Sequence, residues 1–210
     1  MIGARERGRE AGRELDRIVN FSDGVFAIVI TLLVLDIHVP DIPEGLVSQE
    51  LPSQILALGP KFLSYAISFL VIAIYWQAHH RVFRPIRSYD RTLLWLNFLF
   101  LMAISFLPFP TSLLGEYSEE QLSVVIYAAT AAIASLLLVV ISWYATSGHR
   151  LVDTDLHDEA ERLRRLQGLA VPVVFLLSIG ISFFSPMAAM YSWLLLAVTD
   201  PIIRRVWSRQ

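Results

Sequence analysis

The sequence predicts an all-α, polytopic membrane protein with six spans. Three observations predict it: long segments without charge, arginines gathered into four clusters, and alternate loops that hold acids but no arginine. Of the 210 residues, 55% are hydrophobic and 17% charged, an unusual balance for a soluble domain. No Asp, Glu, Lys or Arg lies between Lys61 and Arg81, Arg91 and Glu116, Glu120 and Arg150, or Arg165 and Asp200. Between Arg17 and Asp36 the one charge is Asp23. A hydrocarbon core about 30 Å thick needs roughly 20 mainly apolar helical residues, and each segment is long enough. In lipid the backbone must satisfy its own hydrogen bonds, so these segments are helices.

Taken in order, the first span falls near 18–37, with Asp23 inside it. The second, near 60–82, is closed by His79 and His80, and Lys61, the only lysine, snorkels at its outer end. Uninterrupted apolar runs set the third and fourth near 91–114 and 121–147. The remaining stretch, Leu166 to Thr199, is too long for one ordinary span. It divides at FFSPMAAM, where Pro186 lacks an N–H and Ser185 before it is biased away from helical torsions. That division gives spans near 166–184 and 187–206 in a single domain covering 1–210.

The arginines test the count. They cluster at Arg5, Arg7, Arg9, Arg13 and Arg17; at Arg81, Arg84, Arg87 and Arg91; at Arg150, Arg162, Arg164 and Arg165; and at Arg204, Arg205 and Arg209. Six spans put every cluster on one side, and the opposite loops, DIHVPDIPEGLVSQELPSQ and GEYSEEQ, hold acids and no arginine. Both termini are therefore expected in the cytoplasm. The basic N-terminus is not read as a signal peptide, since Asp23 interrupts the apolar part and no small-residue cleavage site follows.

Composition excludes several functions. A formal charge of −2 leaves no basic surplus for nucleic acid, and the absence of cysteine excludes disulfides and thiolate metal sites. Catalytic motifs such as H-E-x-x-H, G-x-S-x-G or a phosphate loop are missing, so no enzyme is expected. His149, Asp153, Asp155, His157 and Asp158 lie close together, but they read as a solvated loop entering a charged juxtamembrane helix, and no metal site is assigned.

The residue that demands an explanation is Asp23, because isolated charge in lipid is costly. At 100° per residue, Gly24, Ile28, Thr31 and Leu35 share a stripe of about 60° with Leu32 at its flank, while Asp23 lies about 140° from Ile28. If that stripe faces a pore or partner axis, Asp23 points into the neighbouring helices and needs donors there. The second span runs inward, so Trp76, His79 and His80 reach the same depth; with Arg17 and Ser22 they are the candidate partners. By itself such a stripe is a weak signal, since an aliphatic face on a membrane helix more often meets lipid or another helix than a pore.

The pattern R-x-x-x-F-S-D, from Arg17 through Phe21, Ser22 and Asp23, followed by GVFAIVITLLVL, resembles the signature of the transmembrane protein 175 family of potassium channels. PKFLSYAISFLVIAIYWQAHHRVF and LNFLFLMAISFLPFPTSLLGEY extend the likeness over roughly the first 117 residues. The resemblance implies a pore lined by the first helix and narrowed by rings of aliphatic side chains. By position, the ring residue is Ile28, the next layers are Leu32 and Leu35, and Thr31 supplies a hydroxyl for selectivity. Arg17, Phe21, Ser22 and Asp23 would hold the pore helix against Trp76 and one of His79 and His80. Longer relatives carry two six-span repeats; FSDGVFA occurs once here, so a homotetramer around one pore is expected. The resemblance further implies a bacterial plasma-membrane protein with potassium as the permeant ion and no cofactor. The rival readings are a proton-coupled secondary transporter using Asp23, His79 and His80, and a membrane protein without transport activity.

Overall fold

The computed structural model describes residues 2–152 and 168–194. Helix α1 runs Ile2–Leu32 and ends in a 3-10 turn, Leu33–Asp36. After an extended stretch and a second 3-10 turn come α2, Val47–Ala57, and α3, Gly59–Phe83. Helix α4 spans Arg91–Phe106, α5 Pro108–Glu116, α6 Gln121–Thr146 and α7 Ala170–Ser182. A further helical stretch, α8, covers 186–194 up to the limit of the described residues. Among the described residues, four helical units are long and apolar enough to cross a membrane: Gly12–Asp36, Gly59–Phe83, Arg91–Glu116 and Gln121–Thr146. The chain is a multi-pass membrane protein.

Local chemistry explains the breaks. Helix α4 opens on an Asp90 N-cap whose carboxylate accepts from the Leu93 amide at 2.8 Å. The third apolar unit bends at Leu107, where Pro108 and Pro110 remove two backbone donors and start α5 afresh. Gly148, at φ 65°, sits in the 3-10 turn that follows α6. Between α7 and α8 the chain turns at Phe183–Ser185 and restarts at Pro186, where the proline break was expected. The segment 36–54, read as a loop from its acids and prolines, runs into α2 from Val47 onward: Val47, Leu51 and Ile55 recur every fourth residue and supply a helical pattern.

Helix α6 is the central scaffold, with α4 and α7 packed along it. Its buried face is rich in small residues, among them Ala128, Ala131, Ala134 and Ser135, which let neighbouring backbones approach. Buried hydroxyls tie the bundle together: Tyr75 of α3 donates to the Ala131 carbonyl at 2.5 Å, and Thr111 of α5 to Ser68 of α3 at 2.8 Å. The loop after α3 is fastened to the segment beyond α6, with the Arg87 amide donating to the Leu151 carbonyl at 2.8 Å and Ile86 bridging to Val152. Helix α1 lies against α3 and α4 with one face covered. Span six (187–206) is described only to 194; Asp153, Asp155, His157, Asp158, Arg162, Arg164, Arg165, Arg204, Arg205 and Arg209 lie outside the described residues.

Candidate functional site

Two faces of α1 have opposite surroundings. Ser22, Phe26, Val29 and Leu33, spaced 4, 3 and 4 apart, are turned into the bundle; Phe26, Val29 and Leu33 are each 2% exposed. Ile28, Leu32 and Leu35 are 60%, 44% and 66% exposed on the other side, and Thr31 is exposed beside them. The 3-10 turn at Leu33–Asp36 tightens the helix, so that positions three apart eclipse and Leu35 comes into line with Leu32. The Thr31 hydroxyl donates to its own helix at the Ile28 carbonyl, 2.8 Å away. Its proton is thereby committed, and its remaining lone pairs are available as acceptors.

Behind this uncovered stripe lies a polar network on the packed side. The Trp76 indole N–H and His80 Nε2–H both donate to Asp23 Oδ1, at 2.9 and 3.1 Å. Trp76 and His80 sit one helical turn apart on α3 and meet edge to face, with ring centroids 4.8 Å apart. A carboxylate with two donors is far less costly in a membrane protein than an orphan charge.

His79 serves a different partner, since adjacent residues on a helix point about 100° apart. Fully buried, it donates from Nε2 to Asn97 Oδ1 at 3.0 Å, and its ring stacks on Phe83 with centroids 4.2 Å apart. The Asn97 amide donates in turn to Ser22 Oγ at 3.0 Å, and Ser22 donates to the Ile18 carbonyl at 2.9 Å. One chain of hydrogen bonds therefore links α3, α4 and α1 at a single depth. Asn97 was absent from the sequence-based candidates. Its signal was a neutral amide inside the apolar run LLWLNFLF.

Arg17 does not join either set within this chain; its guanidinium, 77% exposed, pairs with Glu14 at 3.0 Å. Phe21 is exposed and meets Phe98 edge to face at 6.0 Å. At the far end of α1, Ser112 of α5 donates to the Asp36 carboxylate, and Lys61 pairs with Glu116 at 2.7 Å. These contacts fix the end of α1 beside the first turn of α3 and the last of α5. A cleft of about 330 Å³ opens there between Leu32, Leu35, His38 and Phe109.

Comparison with known proteins gives this arrangement a setting. Residues 17–108 match the family model described as the endosomal/lysosomal potassium channel TMEM175. A potassium channel of Streptomyces collinus is 37% identical over 181 residues, covering 82% of this chain and 84% of that protein. The crystal structure of a lysosomal potassium-selective channel TMEM175 homolog from Chamaesiphon minutus superposes with a TM-score of 0.79 at 31% identity, covering 90% of this chain and 97% of that one. An endosomal/lysosomal proton channel TMEM175 of Danio rerio is 27% identical, covering 92% of this chain but only 37% of its own length.

Proposed function

From the premise that this chain belongs to the TMEM175 family of channels, and is not an enzyme, we propose that it forms a potassium-selective pore lined by α1. Four copies surround one axis, each contributing six spans of a single domain with both termini in the cytoplasm, in a bacterial plasma membrane. The observation that carries this reading is the two-faced α1. Ser22, Phe26, Val29 and Leu33 are buried against the bundle, while Ile28, Leu32 and Leu35 remain exposed in their own subunit.

In this arrangement a ring of Ile28 side chains is the narrowest point. Aliphatic walls offer an ion no substitute for its water shell, so a narrow ring blocks flow by dewetting, and outward movement or rotation of α1 opens it. Leu32 and Leu35 form the following layers. The Thr31 oxygen, its own proton turned to the Ile28 carbonyl, supplies acceptor lone pairs beside the constriction. Ser22, Asp23, Trp76, His79, His80 and Asn97 hold α1 at a set angle without lining the path; Arg17 and Phe21 stand at its inner mouth.

A second reading has one observation in its favour: the Asp23 carboxylate and the His80 imidazole, side chains of the kind a proton-coupled carrier uses, are in contact at 3.1 Å. Reconstitution in liposomes separates the two. Rapid potassium flux down a gradient, preferred over sodium and unaffected by a proton ionophore, is expected. Saturable flux that depends on the proton gradient would establish the carrier instead, and no flux would leave only a structural role.

A further inference from the structure

Helix α2 lies between α1 and α3 in the chain, and its apolar residues are left partly exposed, at 39% for Val47, 39% for Leu51 and 45% for Ile55. Val47, Leu51 and Ile55 fall within about 80° of one another on the helical wheel, and all three are exposed. Gln49 and Ser53 occupy the other side. Glu50 is the one charge in the helix, and no basic residue lies in it.

The place of α2 in the chain decides what covers that stripe. Only Leu58 separates α2 from α3, and the Phe62 amide donates to the Leu58 carbonyl at 3.0 Å, so the junction is short and hydrogen-bonded. Pro60 lacks the N–H needed to continue the ladder straight through, so the chain bends there. Lys61, four residues past the end of α2, pairs with Glu116 and marks the outer headgroup level. A helix joined so closely to a span lies at the bilayer boundary, where an uncharged apolar stripe is stabilised by acyl chains.

We propose that α2 is an interfacial anchor, lying on the outer leaflet with Val47, Leu51 and Ile55 turned into the lipid. It ties the excursion 37–58 to the membrane and so restrains the outer end of α1. Leu56, on the far side and strongly exposed, faces water. The proposal depends on membrane embedding alone and is independent of which ion passes.

The chain has no cysteine, so single cysteines can be introduced one at a time and spin-labelled without background. In proteoliposomes, collision of the label with oxygen, which concentrates in lipid, is compared with collision with a water-soluble nickel chelate. Labels at Val47→Cys, Leu51→Cys and Ile55→Cys are expected to show an oxygen-to-nickel ratio several-fold above labels at Gln49→Cys, Ser53→Cys and Leu56→Cys. Free access of nickel to all six positions would overturn the proposal by placing α2 in water. Exclusion of both reagents from 47, 51 and 55 would overturn it differently, by showing that a second copy of the chain covers the stripe. The positions are exposed and independent, and size-exclusion elution matching the unlabelled protein establishes that each label leaves the fold intact.

Discussion

One oxygen of Asp23 accepts from both Trp76 and His80, so removing the carboxylate strands two donors together. Asp23→Ala is expected to lower stability by about 1–2 kcal/mol, while Asp23→Asn, which keeps an oxygen acceptor, costs less. Asn97→Leu cuts deeper. It leaves the buried His79 Nε2–H without an acceptor and Ser22 Oγ without a donor, for a loss of about 2 kcal/mol or more. Thermal unfolding in detergent ranks the three, with Asn97→Leu lowest. Asp23 was legible in the sequence because a charge in an apolar run has to be explained, and helix direction put Trp76 and His80 at its depth. Asn97 was not, because a neutral amide is common in membrane helices and its partners lie 18 and 75 positions away.

At the scale of elements, helical periodicity separated the Ile28 stripe from Asp23; in the structure the stripe is exposed, the opposite face carries Ser22, Phe26, Val29 and Leu33, and Asp23 lies half-buried between them. The bend at Leu107 and helix α2 were less readable: apolar continuity hid the first, and acids and prolines disguised the second. Close approach is another property that only packing reveals. A Cβ on Gly115 of α5 would come within 3.0 Å of Ser64 Oγ and 3.3 Å of the Lys61 Cα. Gly115→Val is therefore expected to part α5 from α3 and weaken the Lys61–Glu116 pair, seen as faster hydrogen exchange at both helix ends. At the opposite end, Asp90 links α4 to α6. Burial works against its ionisation, but the Leu93 amide, the Tyr144 hydroxyl at 2.5 Å and nearby Arg150 outweigh it and hold the carboxyl below its ordinary range. Its folded pKa lies below the unfolded one. The link therefore contributes stability above the ordinary carboxylate range, and that contribution is lost as pH falls through the folded value. Hydrogen exchange around Leu93 and Tyr144 should rise below about pH 4, and the rise should vanish in Asp90→Asn.

For the whole molecule, charge-free segments and arginine clusters announced a multi-pass helical membrane protein before any coordinates. Symmetry is not written in one chain: a stripe uncovered in one subunit is evidence of something beyond it, and the proposed tetramer supplies that partner. Native mass spectrometry should find four copies of the 23.7 kDa chain. The most direct test of the pore is single-channel recording of Ile28→Ser in a planar bilayer under mixed potassium and sodium. A wider, wetter ring should raise conductance and lower the preference for potassium. Conductance and selectivity both equal to the parent channel would contradict a pore lined by this face of α1.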